Sequence, residues 1–413
     1  MSFKDLQLIK PLIKAVSESG YNEPTLIQQR CIPAILEKKD IVASAQTGTG
    51  KTAAFALPIL QLLFDKQDAS KRGKKIRALV VSPTRELASQ INENFKTYAT
   101  FTNLRSGVIF GGTSIEPQID ILKKGLDILI ATPGRLLDLH KQDYVNLDFI
   151  ETLVLDEADL MLDMGFIDDV KKIERLCPKE RQTLLFSATI PYKVEQLANS
   201  ILREPTRIDV TSSKSIATAI NQILYYVPKR NKIELCLHLL RNTVKGNILI
   251  FRRTKFGVDK LEKTLLKNGY KVDSIHGDKT QSDRQTALNK FKNGYVKILI
   301  ATDVAARGID INELDAVINF DLPNVPETYV HRIGRTGRAG NIGTAYSLCS
   351  ADEKSYIKTI QETINIQIPI EENHPYPLDP KAKPVIHKSN NKGSKHKKGR
   401  KSQASKKKKK RWY

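Results

Sequence analysis

Ala45-Gln46-Thr47-Gly48-Thr49-Gly50-Lys51-Thr52 is the stretch on which the reading of this chain turns. It follows a short apolar run at 40–45 and precedes a helical stretch at 53–64. Strand, glycine-rich turn, helix is the setting of a phosphate-binding loop. The glycines let backbone N–H groups curl around phosphates at a helix N-terminus. In that reading Lys51 neutralises the β- and γ-phosphates and the Thr52 hydroxyl holds Mg²⁺. The strict pattern opens on Gly where Ala45 stands, and a glycine-rich turn with no ligand is the plainer alternative. Further along, Asp156-Glu157-Ala158-Asp159 closes another apolar run, Leu153-Val-Leu155. Carboxylates at the C-terminal end of a strand lie where α/β sheets bind ligands. Asp156 suits a Mg²⁺ shell, and Glu157 suits deprotonation of an attacking water.

Working outward, apolar β-branched runs recur at 78–84, 127–132, 152–156 and 182–188, then at 247–251, 271–276, 297–302, 316–320 and 344–349. Most are nearly continuous, as parallel strands covered on both faces read. Helical stretches separate them, so the fold class is α/β with parallel sheets and crossover connections. The polar stretch Thr211-Ser-Ser-Lys-Ser-Ile-Ala-Thr218 has no apolar period. It places the seam between two blocks, with domain one at 1–206, a linker at 207–218 and domain two at 219–366. Residues 367–413 read as a Pro-containing extension and then a Lys/Ser/Gly tail, expected to be disordered.

The chain has 413 residues, is 40% hydrophobic and carries a formal charge of +22. That is enough apolar material for two full cores, and it excludes a mostly disordered chain. No apolar run approaches a membrane span. Residues 381–413 hold 13 Lys and 2 Arg with no acid, so most of the excess charge sits in the tail. A basic tail fits a polyanion partner through counterion release. A merely solubilising end is the alternative. Cys31, Cys177, Cys236 and Cys349 form no C-x-x-C pair. A disulfide framework is therefore not expected, and a reducing cytoplasm is the simplest setting.

The motifs together, in order, resemble those of the DEAD-box ATP-dependent RNA helicases over about residues 2–350. Gly20-Tyr-Asn-Glu-Pro-Thr-Leu-Ile-Gln28 is similar to the adenine-reading Q motif, with Phe3 as its upstream aromatic. Ala45 to Thr52 resembles motif I, where the family commonly has Ala at the first place. Pro83-Thr-Arg-Glu-Leu-Ala88 resembles motif Ia, Gly111-Gly112 the GG element, and Thr132-Pro-Gly-Arg135 motif Ib. Asp156 to Asp159 resembles motif II, and Ser187-Ala-Thr189 resembles motif III. The second block follows with Ile248-Leu-Ile-Phe-Arg-Arg-Thr-Lys255, His276-Gly-Asp-Lys-Thr-Gln-Ser-Asp-Arg284, Ala301-Thr-Asp-Val-Ala-Ala-Arg-Gly-Ile-Asp310 and His331-Arg-Ile-Gly-Arg-Thr-Gly-Arg338. Connecting stretches such as Asn324-Val-Pro-Glu327 are most like the bacterial RhlE branch.

The resemblance implies two RecA-like P-loop domains, with ATP and Mg²⁺ as cofactors and RNA as partner. Phe3, Gln28, the loop from Ala45 through Gln46, Thr47, Gly48, Thr49, Gly50 and Lys51 to Thr52, and Asp310 would bind ATP. Thr52 and Asp156 would hold Mg²⁺. Lys51, Glu157, Arg335 and Arg338 would act on the γ-phosphate. The two arginines are three apart, which on a helix puts both on one face. Asp303 is a further candidate partner of the ribose or of these arginines. Asp159, Ser187, Thr189 and His331 would couple the nucleotide and RNA sites. RNA would meet Pro83, Arg85, Gly112, Thr132, Gly134 and Arg135 in the first domain. In the second it would meet Thr254, Gly277, Asp278, Gln281, Arg284, Thr302 and Gly308. These groups suit phosphate and sugar rather than base edges, so binding without sequence preference is expected. The activity implied is local duplex unwinding or ribonucleoprotein remodelling. Ribosomal precursors, decay substrates and cold-stabilised messenger hairpins are all compatible with the family. A monomer without membrane attachment is the expected state. A non-catalytic ATP-switched RNA clamp and a tail-driven annealing chaperone are the competing readings.

Overall fold

The computed structural model describes residues 1–413 except 46–47, 66–74, 211–219, 307–310, 312–313, 338–342 and 380–413. Two parallel sheets carry the described chain. The first is built from β1 (Ile41–Ser44), β2 (Ala78–Val81), β3 (Ser106–Ile109), β4 (Ile128–Ala131), β5 (Thr152–Leu155), β6 (Gln182–Ser187) and β7 (Thr206–Asp209). Its spatial order is β3-β4-β2-β5-β6-β1-β7. The second is built from β8 (Asn221–Tyr226), β9 (Ile248–Phe251), β10 (Val272–Ile275), β11 (Ile298–Ala301), β12 (Ala316–Asn319) and β13 (Thr344–Cys349), in the order β10-β11-β9-β12-β13-β8.

The central strands are buried at every position, as in β2, β4 and β5. Helices cover both faces of each sheet, which gives two apolar layers per domain. Each Leu or Ile so buried contributes roughly 1.5–3 kcal/mol by leaving water. The four cysteines are free and buried within these layers. Burial pushes the Cys31 thiol up to about 12, which keeps it protonated and inert.

Three strands escape the sequence reading: β3, β7 and β8. All sit at or beside a sheet edge, where half the side chains meet solvent, so none reads as a continuous apolar run. The miss moves the domain boundaries. β7 pairs with β1 from Thr206 to Asp209, and Val210 N donates to Ser44 O at 3.0 Å. The linker expected from residue 207 therefore begins after Val210. The extension expected to start at 367 is also partly built into domain two. Ile368 is buried, Ile370 bridges Leu224, and Leu378 N donates to Tyr226 O at 3.0 Å along the outer side of β8. The Lys-rich tail lies outside the described residues. Among the described residues, no helix is long and apolar enough to cross a membrane.

Candidate functional site

Sheet order sorts the functional loops. β5, β6 and β1 are neighbours, and their C-terminal ends carry Asp156 with Glu157, Ser187 with Thr189, and the phosphate-binding loop. β3, β4 and β2 are neighbours on the other half of the sheet. Their ends carry Gly112, the Thr132-Pro-Gly-Arg135 turn, and Pro83 with Arg85. In the second domain β10, β11 and β9 end at Gly277 and Asp278, Thr302, and Thr254.

A cavity of about 330 Å³ lies over the β1 end, lined by Gln28, Gly48, Gly50, Lys51, Thr52, Asp156 and Glu157 of domain one together with Arg335 of domain two. Gly48 and Gly50 stand at φ 79° and 89°, a conformation that Gly adopts at little cost. Lys51 opens the helix Lys51–Asp65, and its Nζ donates to Glu157 Oε1 at 2.7 Å. Both side chains are buried. Burial alone would lower the Lys51 pKa, but Glu157 and Asp156 outweigh it and hold the ammonium charged. Glu157 itself is left-handed, at φ 55° and ψ 56°, just ahead of the helix Ala158–Asp163. A non-Gly residue there costs about 1–3 kcal/mol, and such strain gathers at active sites.

Asp156 Oδ1 is buried without a hydrogen-bond partner. Burial raises the Asp156 carboxyl to about 7, against the pull of Lys51, and Glu157 adds to the rise. An orphaned, destabilised carboxylate lining the same cavity as Thr52 fits Mg²⁺, which takes one or two protein oxygens and keeps water and phosphate for the rest.

The residues expected to couple the two sites lie together around Asp159. Asp159 Oδ2 accepts from Thr189 N and Thr189 Oγ1, each at 2.9 Å, and Asp159 N donates to Ser187 Oγ at 3.0 Å. His331 Nε2 of domain two stands 4.0 Å from the same Asp159 oxygen. Burial works to raise the Asp159 carboxyl, yet His331, Lys51 and the hydroxyl bonds together hold it below the usual carboxylate range.

A second cleft, about 460 Å³, is lined by Pro83, Arg85, Thr132, Gly134 and Arg135 of domain one and by Arg284 and Val304 of domain two. Arg85 donates to Gly112 O at 3.3 Å, and Arg135 donates to Thr113 O at 3.1 Å. Burial first, then the guanidiniums of Arg284 and Arg135, lower the Arg85 pKa against the pull of Glu86. The three guanidiniums outnumber the two carboxylates of the lining, Glu86 and Asp138, which favours an anion there. Sequence reasoning missed Glu86, which joins the two domains: its Oε1 accepts from Gln281 at 2.9 Å and lies 3.0 Å from Arg284 Nη2. Its place next to Arg85 in the motif was the available signal.

Some expectations need correction. Phe3 is buried in the domain-one core with Leu6 and Leu8 and is absent from the described cavity lining; Tyr21 and Tyr98 line it instead. Ala45 is also core, its N–H donating to Ser187 O at 3.0 Å. Gln28 reaches the cavity wall, but its amide oxygen already accepts from Thr25 N and its amide nitrogen donates to Gly50 O. Arg335 lies past the end of the helix Pro326–Ile333, so the structure gives it no helical face to share. Asp303 holds Arg332 through a two-pronged pair at 2.6 and 2.7 Å, rather than a finger arginine. Asp278 pairs with Lys255 at 2.6 Å. Thr254, Gly277, Asp278 and Thr302 lie beyond the cleft lining, on the neighbouring loops. Gln46, Thr47, Gly308, Asp310 and Arg338 lie outside the described residues.

The fold and the two cavities define a P-loop nucleotide-binding protein of two RecA-like domains with a cationic cleft across their junction. A family model described as DEAD/DEAH box helicase matches residues 25–197, and one described as helicase conserved C-terminal domain matches residues 231–340. The DEAD-box ATP-dependent RNA helicase CshA of Bacillus subtilis is 42% identical over 363 residues, 88% of this chain and 72% of that protein. The DEAD-box ATP-dependent RNA helicase RhpA of Helicobacter pylori is 41% identical over 367 residues, 89% and 73% of the two chains. S. cerevisiae Dbp5 bound to RNA and ADP BeF3 matches with a TM-score of 0.80 at 32% identity, over 90% of this chain and 95% of that one. Mss116p bound to ssRNA and AMP-PNP matches with a TM-score of 0.82 at 32% identity, over 90% and 79%. The chain belongs to the DEAD-box ATP-dependent RNA helicases. These matches show the family and do not specify the branch within it.

Proposed function

We propose that the chain closes its two domains around one RNA strand when ATP binds, bends that strand away from duplex geometry, and reopens after hydrolysis. The observation that carries this reading is the pairing of cavities across one junction. Arg335 of domain two faces the Lys51–Glu157 cavity, while Arg284 of the same domain joins Arg85 and Arg135 in the cationic cleft. Closure thus assembles a nucleotide site and a phosphate-backbone site together, which is what coupling requires.

Lys51 draws the β/γ-phosphates, and in doing so leaves Glu157 free to orient a water and take its proton. Arg335 stabilises the charge on the transferring phosphoryl group. Thr52 and Asp156 would hold Mg²⁺, which supplies charge neutralisation on the phosphate oxygens. Asp159, Ser187, Thr189 and His331 transmit the nucleotide state between the domains. Arg85, Arg135, Arg284 and the loops ending at Thr254, Gly277 and Thr302 take phosphate and sugar, so binding has little sequence preference. The bacterial relatives favour action in a bacterial cytoplasm, on structured RNA of ribosome assembly, decay or cold adaptation.

The test is steady-state ATPase of the full chain with no nucleic acid, with single-stranded RNA and with DNA of matching sequence. Stimulation by RNA alone is expected. Equal rates in all three would sever the two sites and move the clamp or chaperone readings ahead.

A further inference from the structure

The helix Lys255–Lys267 begins beyond the C-terminal end of β9, directly after Thr254, one of the expected RNA contacts. Its second residue, Phe256, is 74% exposed. Folding does not account for a phenylalanine there. Its ring buries little, and Lys or Glu would suit an exposed helical position better. The backbone beneath it is nevertheless fixed. Gly257 N donates to Thr254 Oγ1 at 3.1 Å. A Cβ on Gly257 would stand 2.7 Å from Arg252 Nη2, so the guanidinium packs flat against the helix start. Arg252 in turn donates to Asp321 Oδ2 at 2.8 Å. Lys255 Nζ lies 5.5 Å from the Phe256 ring centroid and 2.6 Å from Asp278 Oδ2. The ring therefore stands on a fixed backbone at the end of β9, between loops assigned to the RNA backbone, with a cation beside it.

We infer that Phe256 is a stacking platform for one nucleobase of the bound RNA strand. The inference rests on the RNA reading above and adds a base contact to an otherwise backbone-directed site. Any base has a π-face, so the contact tolerates sequence while favouring the larger purines. The ring's immediate neighbours are polar and charged, Lys255 with its partner Asp278, which favours a nucleotide over an apolar protein partner as the occupant.

Two variants of the full chain test it, with oligoadenylate and oligouridylate as probes. Phe256→Ala should weaken single-stranded RNA binding about tenfold, more for oligoadenylate, at an unchanged salt slope. Arg85→Ala, a phosphate contact, should instead reduce that slope by about 0.7. Melting temperature should be unchanged in Phe256→Ala, because the ring is exposed. Since Trp412 is the chain's one tryptophan, Phe256→Trp combined with Trp412→Phe leaves a single indole, whose emission should be quenched as RNA saturates. Wild-type affinity in Phe256→Ala, or indole emission indifferent to RNA, would overturn the platform while leaving the helicase reading intact. Failure of the wild-type chain itself to bind RNA would overturn both.

Discussion

At the scale of the residue, Glu157 is the proposed general base. Its backbone is left-handed and its carboxylate is held by Lys51 in a buried pair. Glu157→Gln should retain ATP and RNA binding while kcat falls about 10²–10⁴-fold, the usual contribution of a general base. Normal hydrolysis by that variant would refute the assignment. Gly50 is the second sensitive position. At φ 89° a side chain is strained by about 1–2 kcal/mol, and its Cβ would collide with the Gln28 amide. Gly50→Ala should therefore lower nucleotide affinity at least tenfold, read by titration with a fluorescent ATP analogue. Asp159 sets an acid limit. Its folded pKa is lowered, so it contributes stability that is present above the unfolded value of about 4 and lost as pH falls through the folded one. Thermal melts from neutral pH down to about 3 should fall less steeply for Asp159→Asn than for the wild type.

Elements meet at the junction through the helix Arg85–Tyr98 of domain one and the helix Gln281–Lys292 of domain two. Glu86 takes both Gln281 and Arg284, and it is buried, so the pairing is not a screened surface contact. A double-mutant cycle of Glu86→Ala and Gln281→Ala on RNA affinity in the ATP-bound state should give a coupling of about 0.5–3 kcal/mol. Additive effects would mean that the pair does not hold the closed junction. The same scale shows where the sequence was legible. Central strands such as β2, β4 and β11 are apolar throughout and were readable. β3, β7 and β8 alternate or face solvent and were not, so the domain edges came out misplaced. The helix stops at Ile333, ahead of Arg335, and Arg338 lies outside the described residues.

For the whole molecule, charge divides the labour. The two folded domains hold a narrow cationic cleft, while residues 381–413 carry 13 Lys and 2 Arg. Truncation after Pro384 should abolish strand annealing and flatten the salt dependence of RNA binding by about 0.7 per cation lost from the contact. ATPase at saturating RNA should survive. Loss of that ATPase along with the tail would place the tail inside the catalytic cycle rather than beside it.

The sequence alone determined the fold class, the phosphate-binding loop, the paired carboxylates of Asp156 and Glu157, and the family. These are local signals: apolar runs, glycines before a helix, and motifs whose members stand within a few residues of one another. Tertiary structure decided the rest. Strand order in the first sheet put the loops after β2, β3 and β4 on one side and those after β1, β5 and β6 on the other. Packing withdrew Phe3 and Ala45 into the core and tied Asp303 to Arg332. Glu86 came to lie against Gln281, 195 positions away, through the approach of two domains. Pairings at that separation leave no periodic trace in a sequence, because they depend on which strands become neighbours and which surfaces close on each other.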